Sequence, residues 1–306
     1  MTTAEATLQP LISVILNTFN RAQLVRRAID SVLAQTYPNL ELIVVDDGST
    51  DDTEEVLAEE NDPRFRYIRQ ENSGLSAGRN RGFAVAAGAW IACLDDDDQV
   101  EPEWLGDFVA HMAEDVGIVF SGHQRVDVRT GQVEVRSASL QGPALLSVTG
   151  DMLAGTWIMR AEVFRAAGGF RESLPTLVQT EFMLRAIPVC IEKLGLRTSA
   201  SKAAHFQYSV LPPMERPTLT PALAYEAGVA ILEAHPEAFA RDRKARADWN
   251  SVVGVSALRC GNRTAARRHL WRAVCAQPYE WRRWMRFVGC QTSITSGLIW
   301  ETSVAR

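Results

Sequence analysis

Asp95-Asp96-Asp97-Asp98 follows directly on the apolar run Trp90-Ile91-Ala92-Cys93-Leu94. Four like charges at the exit of a buried strand repel one another and are costly to desolvate unless a cation sits among them. Hard divalent cations such as Mg2+ or Mn2+ take carboxylate oxygens for that purpose. A loop that leaves its charges in water is the other solution. Two more polar clusters follow apolar runs in the same way. Thr18-Phe19-Asn20-Arg21 comes after residues 11–16, and Asp46-Asp47-Gly48-Ser49 comes after residues 40–45.

The elements that must position these clusters alternate. Residues 11–16 and 40–45 are short β-branched runs of the kind buried on both faces of a parallel sheet. Residues 65–68 and 90–94 read as third and fourth strands. Helical apolar spacing lies between them, at Leu24, Ala28, Ile29, Val32 and Leu33, then to about Glu60 behind a cap at Asp51 or Asp52, then over residues 74–87. Strands separated by such helices imply right-handed crossovers and a mostly parallel α/β sheet. Ligands of open sheets sit at the carboxyl ends of the strands, where all three polar clusters fall.

Competing phosphate sites are missing: neither G-x-G-x-x-G nor G-x-x-x-x-G-K-[ST] occurs. Gly74, Gly78 and Gly82 instead suit close packing of a helix on the sheet. The chain has 306 residues, enough for an α/β domain with an appendage, and its net charge of −5 carries no general call to nucleic acid. Five cysteines, scattered and never paired as C-x-x-C, point to reduced thiols and not to a disulfide framework or a zinc site. With no secretory pattern at the start and no bilayer-length apolar run, the expected location is cytoplasmic, with peripheral contact at the inner membrane face.

Residues 12–21 and 44–51, the glycine segment 74–82 and Leu94-Asp95-Asp96-Asp97-Asp98 together resemble a family 2 glycosyltransferase of the GT-A fold, and residues 155–172 extend the likeness. The resemblance implies a Rossmann-like sheet over residues 8–215, a nucleotide-sugar donor, UDP-linked first of all, and Mn2+ or Mg2+ as cofactor. It places the donor against Thr18, Phe19, Asn20, Arg21, Asp46, Asp47, Arg79, Asp95 and Asp96. Phe19 faces the base, Asp47, with Asp46, accepts from it, and Arg79 lies near the diphosphate. Asp95 and Asp97 match the outer acids of a D-x-D motif, and His205 falls where relatives bring a histidine to the metal. On residue type alone, Phe19 suits a core as well, Asp46 and Asp47 suit a capped turn, Arg79 a surface ion pair, and His205 a structural role.

An inverting transferase also needs a base for the acceptor hydroxyl. Relatives carry a Glu-Asp pair before a helix ending in Leu-Arg. Aligned on Leu184-Arg185, this chain has Val178 and Gln179 there, neither able to take a proton. Glu181, at the later acidic position, is the expected base. Asp151, or a relative that binds nucleotide-sugar as a scaffold without catalysis, are the alternatives, and pairing of Glu181 with Arg185 at i+4 is the structural reading.

Residues 216–306 are expected to form a helical extension. Residues 222–234, 249–259 and 264–276 have helical spacing around a Cys260-Gly261-Asn262 turn, like a single tetratricopeptide-type hairpin. Arginines interleaved with Trp271, Trp281 and Trp284 suit an anionic membrane surface or a lipid-linked acceptor, and equally a solvated face over core tryptophans. The implied partners are a nucleotide-sugar donor and a glycan or lipid-linked acceptor, in cell-envelope polysaccharide synthesis, with no nucleic acid.

Overall fold

A computed structural model describes residues 9–138, 152–210 and 220–291. Asp151 and the connector around residues 211–217 lie outside these. Strands β1 (Ile12–Thr18), β2 (Leu40–Asp46), β3 (Phe65–Arg69) and β4 (Trp90–Asp95) alternate with helices α1 (Ala22–Leu33), α2 (Thr53–Ala58) and α3 (Leu75–Val85). Strands β5 (Gln99–Val100), β6 (Val116–Phe120), β7 (His123–Asp127), β8 (Val133–Arg136), β9 (Trp157–Arg160), β10 (Arg197–Ala200) and β11 (Phe206–Val210) follow, with α4 (Trp104–Ala110), α5 (Ala161–Ala167) and α6 (Val178–Pro188) between them.

The main sheet has the order β10-β6-β9-β4-β1-β2-β3. β1 pairs in parallel with both β2 and β4, and β2 in parallel with β3. β9 runs antiparallel to both β4 and β6. β1 is buried along its whole length and carries no alternating polar face, as a central strand covered on both sides requires. A second sheet has the order β5-β11-β7-β8. Neither β9 nor this second sheet is legible as alternation in the sequence, because their strands are short and joined by long-range pairing.

Sequence and structure differ in useful ways at the strand ends. β1 continues through Asn17 and Thr18, read as loop, since Thr18 pairs with Asp46 of β2. β4 takes in Asp95, so the first aspartate is the last strand residue. At α2, Asp52 makes no side-chain cap; Asp51 does the work, its Oδ1 accepting from Thr53 N–H at 3.1 Å.

α3 lies close on β1 because its glycines allow it. A Cβ at Gly78 would stand 1.7 Å from Asn17 Oδ1, and one at Gly82 would stand 2.5 Å from Ile15 Cγ2. Phe83 of α3 stacks on Phe164 of α5 at 3.8 Å, and Phe170 lies beside both. The core under the sheet joins β1, β2 and β4 to α1 and α4 through Val14, Leu42, Ala92, Val25, Ile29 and Trp104.

Two compact units divide the chain. The first joins Met1–Ser139, Leu153–Glu172 and Arg185–Leu211; the second joins Leu140–Met152 and Ser173–Leu184 to Pro212–Arg306. The start of α6 therefore belongs with the C-terminal helices α7 (Pro221–Ala234), α8 (Pro236–Arg241), α9 (Arg243–Arg259), α10 (Arg263–Ala276) and α11 (Trp281–Gly289). Thr220, Asp242 and Asn262 cap α7, α9 and α10 with side-chain oxygens. Gly261, at φ +84°, turns the chain between α9 and α10, and Gly254 of α9 sits under Leu270 of α10. The expected helical hairpin is this α9–α10 pair. Among the described residues no helix is long and apolar enough to cross a membrane. All five cysteines are free thiols.

Candidate active site

The carboxyl ends of β1, β2 and β4 bring the three polar clusters together. Along the aspartate run Asp96 and Asp98 are buried, the side chain of Asp95 is 36% exposed, and that of Asp97, on a partly exposed residue, only 7%. Asp96 is engaged on both oxygens. Thr18 Oγ1 donates to its Oδ2 at 2.8 Å and Arg21 Nη1 to its Oδ1 at 2.8 Å. Burial, with the neighbouring Asp97 charge adding to it and Arg21 opposing, pushes the Asp96 carboxyl up to about 6. Asp98 accepts from Ser209 N–H of β11 at 2.8 Å. These inner acids, with Thr18, tie the run to β1 and to the second sheet. Thr18 and Asp96, expected on the donor, are turned inward and bonded to each other.

Arginines hold the other two acids as well. Arg21 Nη1 reaches Asp97 Oδ2 at 3.2 Å, and Arg79 Nη2 pairs with Asp95 Oδ1. Arg79 is only 1% exposed, yet its Nη1 has no hydrogen-bond partner. Its guanidinium carbon stands 5.4 Å from the centroid of the Phe170 ring, a contact that the sequence reading did not include. Asn17 Oδ1 on β1 and Ser76 Oγ on α3 are likewise buried without partners. Buried polar atoms are rarely left unpaired in a finished protein, so such atoms point to a ligand or water that completes them.

The β1 and β2 loops hold one another. Asn20, at φ +54°, a conformation asparagine tolerates, donates its N–H to Ser49 Oγ at 2.9 Å and accepts from Thr50 N–H at 2.7 Å. Phe19 beside it is 42% exposed and leaves its ring open to a ligand. Asp46 is buried and internal, accepting from Ser49 N–H at 2.8 Å and from Tyr67 OH at 3.0 Å. Burial and that bond push the Tyr67 hydroxyl up to about 12. Asp47 accepts from Gln70 Nε2 at 2.7 Å, Ser73 N–H at 2.9 Å and Gly74 N–H at 2.8 Å, which fastens the segment leading into α3. Three of a carboxylate's roughly four lone-pair sites are thus taken.

His205 has different company from that expected. Its Nδ1 lies 2.8 Å from Glu101 Oε2, and Glu101 also accepts from Gln124 Nε2 at 2.7 Å. Among the described residues, Glu101, Glu103 and His205 are the group whose ligand atoms gather within 4.8 Å; Asp95, Asp97 and His205 do not. Glu101 and Glu103 carried no motif, and only the pairing of β5 with β11 shows their nearness to His205.

Glu181, in the second unit, is fully buried, with His235 Nε2 at 3.1 Å from its Oε1. Val178 and Gln179 are buried as well. Leu177, just ahead of α6, has φ +60°, which is strained for a bulky residue. Arg185 donates to the carbonyls of Ala167 and Gly169. His235 sits between α7 and α8, and nothing local in the sequence marks it as a partner of Glu181.

A mostly parallel sheet with acids at the ends of its second and fourth strands is the GT-A arrangement, and solved structures share it. S. aureus TarS 1-349 in complex with UDP-GlcNAc superposes with a TM-score of 0.57 at 19% identity, over 90% of this chain and 83% of that one. The mannosyltransferase PcManGT from Pyrobaculum calidifontis, in complex with GDP-Man and Mn2+, gives a TM-score of 0.56 at 17% identity, over 92% and 86%. Residues 13–177, more than half of the chain, match the profile described as Glycosyl transferase family 2, and the protein belongs to that family. Among curated relatives, the putative colanic acid biosynthesis glycosyl transferase WcaA of Escherichia coli (strain K12) is 47% identical over 105 residues, which is 33% of this chain and 38% of that protein. Chondroitin synthase of Escherichia coli is 30% identical over 181 residues, 58% of this chain and 26% of the synthase. The chain thus spans well under half the length of these relatives.

Proposed function

We propose that the protein is an inverting glycosyltransferase that moves a sugar from a nucleotide-sugar donor to a glycan or lipid-linked acceptor in cell-envelope polysaccharide synthesis. The carrying observation is Arg79: a buried guanidinium with one nitrogen on Asp95, whose side chain is 36% exposed, and another without a partner. A donor diphosphate would give that nitrogen an acceptor, and a guanidinium fork suits phosphate oxygens. The open ring of Phe19 offers a face for the base. The lone-pair site left on Asp47 can accept from it. A UDP-sugar is the first donor to try, because TarS, which shares the fold, was solved with UDP-GlcNAc.

The carboxylate oxygens of Asp95 and Asp97 are the hard donors that Mg2+ or Mn2+ takes. Bound there, the cation supplies Lewis-acid stabilisation of the charge on the departing nucleoside diphosphate. The acceptor oxygen attacks the anomeric carbon opposite the diphosphate, and the carbon–oxygen bond to the diphosphate breaks with its electron pair. In this reading Glu181 takes the hydroxyl proton, oriented by His235.

Release of UDP from UDP-sugars with Mn2+, compared in wild type and Glu181→Gln, tests the proposal. Wild-type turnover that falls about a hundredfold or more in the variant, with donor affinity unchanged, is expected. Equal turnover in the two proteins removes Glu181 from the reaction. The second reading, a nucleotide-sugar-binding relative without transfer, is favoured by buried Val178 and Gln179 in place of an acidic pair. Tight UDP binding with neither transfer nor hydrolysis by the wild type would select it.

A further inference from the structure

Helix α11 is built inside out. Its apolar residues Trp281, Trp284, Met285 and Val288 follow the i, i+3, i+4, i+7 spacing of a face that would ordinarily be buried. Here they are exposed, Trp281 at 65% and Val288 at 55%. Arg283, from the other side of the same helix, is only 6% exposed, its guanidinium bonded to Ser251 Oγ at 3.0 Å, Asp248 Oδ1 at 2.7 Å and Gln277 Oε1 at 2.7 Å. The helix is therefore fastened through Arg283, and at its end through Phe287 and Cys290 against Val255 and Leu270, and presents tryptophan to solvent. Trp271 of α10 extends the apolar surface, 6.1 Å from Trp284 and 5.2 Å from Phe287 between ring centroids.

The surroundings are strongly basic. Residues 259–290 carry eight arginines against one acid, Glu280, a formal +7 in a chain whose net charge is −5. Arg263, Arg267, Arg268, Arg272 and Arg282 are exposed, and the Arg282 guanidinium lies 5.8 Å from the Trp281 ring centroid. His269 beneath them stays neutral near pH 7, because burial, aided by Arg268 and Arg272, pushes it down to about 4.

We propose that the α10–α11 face docks on an anionic phospholipid surface, with Trp281, Trp284, Met285 and Val288 in the headgroup–acyl boundary and the arginines on lipid phosphates. Indole rings favour that boundary, having an apolar body and a polar N–H, and a polybasic margin adds attraction to acidic headgroups. A second copy of this face would set its exposed arginines against one another, which opposes self-association. Nucleic acid would satisfy the arginines but leave the apolar stripe in water. The inference does not depend on the transferase reading, since it uses no residue of the donor site.

Sedimentation of the full chain with vesicles tests it, using phosphatidylcholine alone and phosphatidylcholine mixed with phosphatidylglycerol. Binding to the mixed vesicles only, with a blue shift of tryptophan emission and weakening in high salt, is expected. Trp281→Ser with Met285→Ser, and separately Arg267→Glu with Arg268→Glu, should each weaken binding about tenfold or more while far-UV circular dichroism and nucleotide-induced thermal shifts stay unchanged. The idea is overturned by no vesicle binding, by equal binding to both vesicle types, or by concentration-dependent dimerisation abolished by the Trp281–Met285 pair. Binding to RNA that survives loss of Trp281 and Met285, without vesicle binding, overturns it too.

Discussion

Neighbouring aspartates in the run at the end of β4 do different work in the proposed reading, and substitution separates them. Asp97→Asn removes the charge proposed to hold the metal and leaves Asp96 bonded to Thr18 and Arg21. Its expected effect is loss of Mn2+-dependent nucleotide binding with urea unfolding near wild type. Asp96→Ala strips two donors of a buried acceptor. Because Arg21 is about a quarter exposed, the loss is on the order of 1–3 kcal/mol, read as a lower urea midpoint. A reversal of this pattern, with Asp97→Asn unfolding and Asp96→Ala only losing ligand, contradicts the division. Arg79→Lys keeps a charge but loses the fork, so it should weaken nucleoside diphosphate binding about tenfold or more in calorimetry.

At the scale of elements, the approach of α3 to β1 sets where Arg79 points. Gly78→Ala would drive a methyl to 1.7 Å from Asn17 Oδ1, so the buried Asn17 side chain or the helix must shift. A loss of about 1–3 kcal/mol in urea unfolding is expected, together with weaker nucleotide binding because Arg79 is one residue away. A variant of unchanged stability and affinity would show that the contact yields cheaply. This element also shows what was legible beforehand. Gly78 and Gly82 announced close packing, whereas Gly74, expected to share it, has nothing within 4 Å of its Cβ position and turns the chain into α3 at φ +88°; the apolar runs before Asn17, Asp46 and Asp95 announced a parallel sheet with its polar ends together. The roles of Thr18, Asp46 and Asp96 as internal bonds were not legible, since a carboxylate held by its own chain and one awaiting a ligand have the same sequence. The company of His205 with Glu101 and of Glu181 with His235 was hidden for another reason, as each pair is separated by tens of residues and joined only by folding.

For the whole molecule, stability should depend on pH through the C-terminal unit. His269 donates from Nδ1–H to Asn250 Oδ1 at 2.9 Å, and its buried Nε2 has no partner. Protonation would add a buried N–H with nothing to accept it. Its folded value, about 4, lies below the unfolded value near 6.5, so between them the unfolded chain binds more protons. Stability is therefore full above about pH 6.5 and falls as pH drops towards 4. The melting temperature should fall by a few degrees across that window, about 2–5 °C, and by less in His269→Gln. An equal fall in both proteins would assign the loss to other groups.

The transferase account stands most directly on one measurement: the melting temperature of wild type and Asp97→Asn with a panel of nucleoside diphosphates, with and without Mn2+. A nucleoside diphosphate at about a hundredfold excess over its Kd should raise the wild-type melting temperature by roughly 5 °C in Mn2+, with little effect when the metal is chelated or Asp97 replaced. If no nucleoside diphosphate stabilises the wild type in Mn2+, Asp95, Asp97 and Arg79 do not form a donor site, and the account fails.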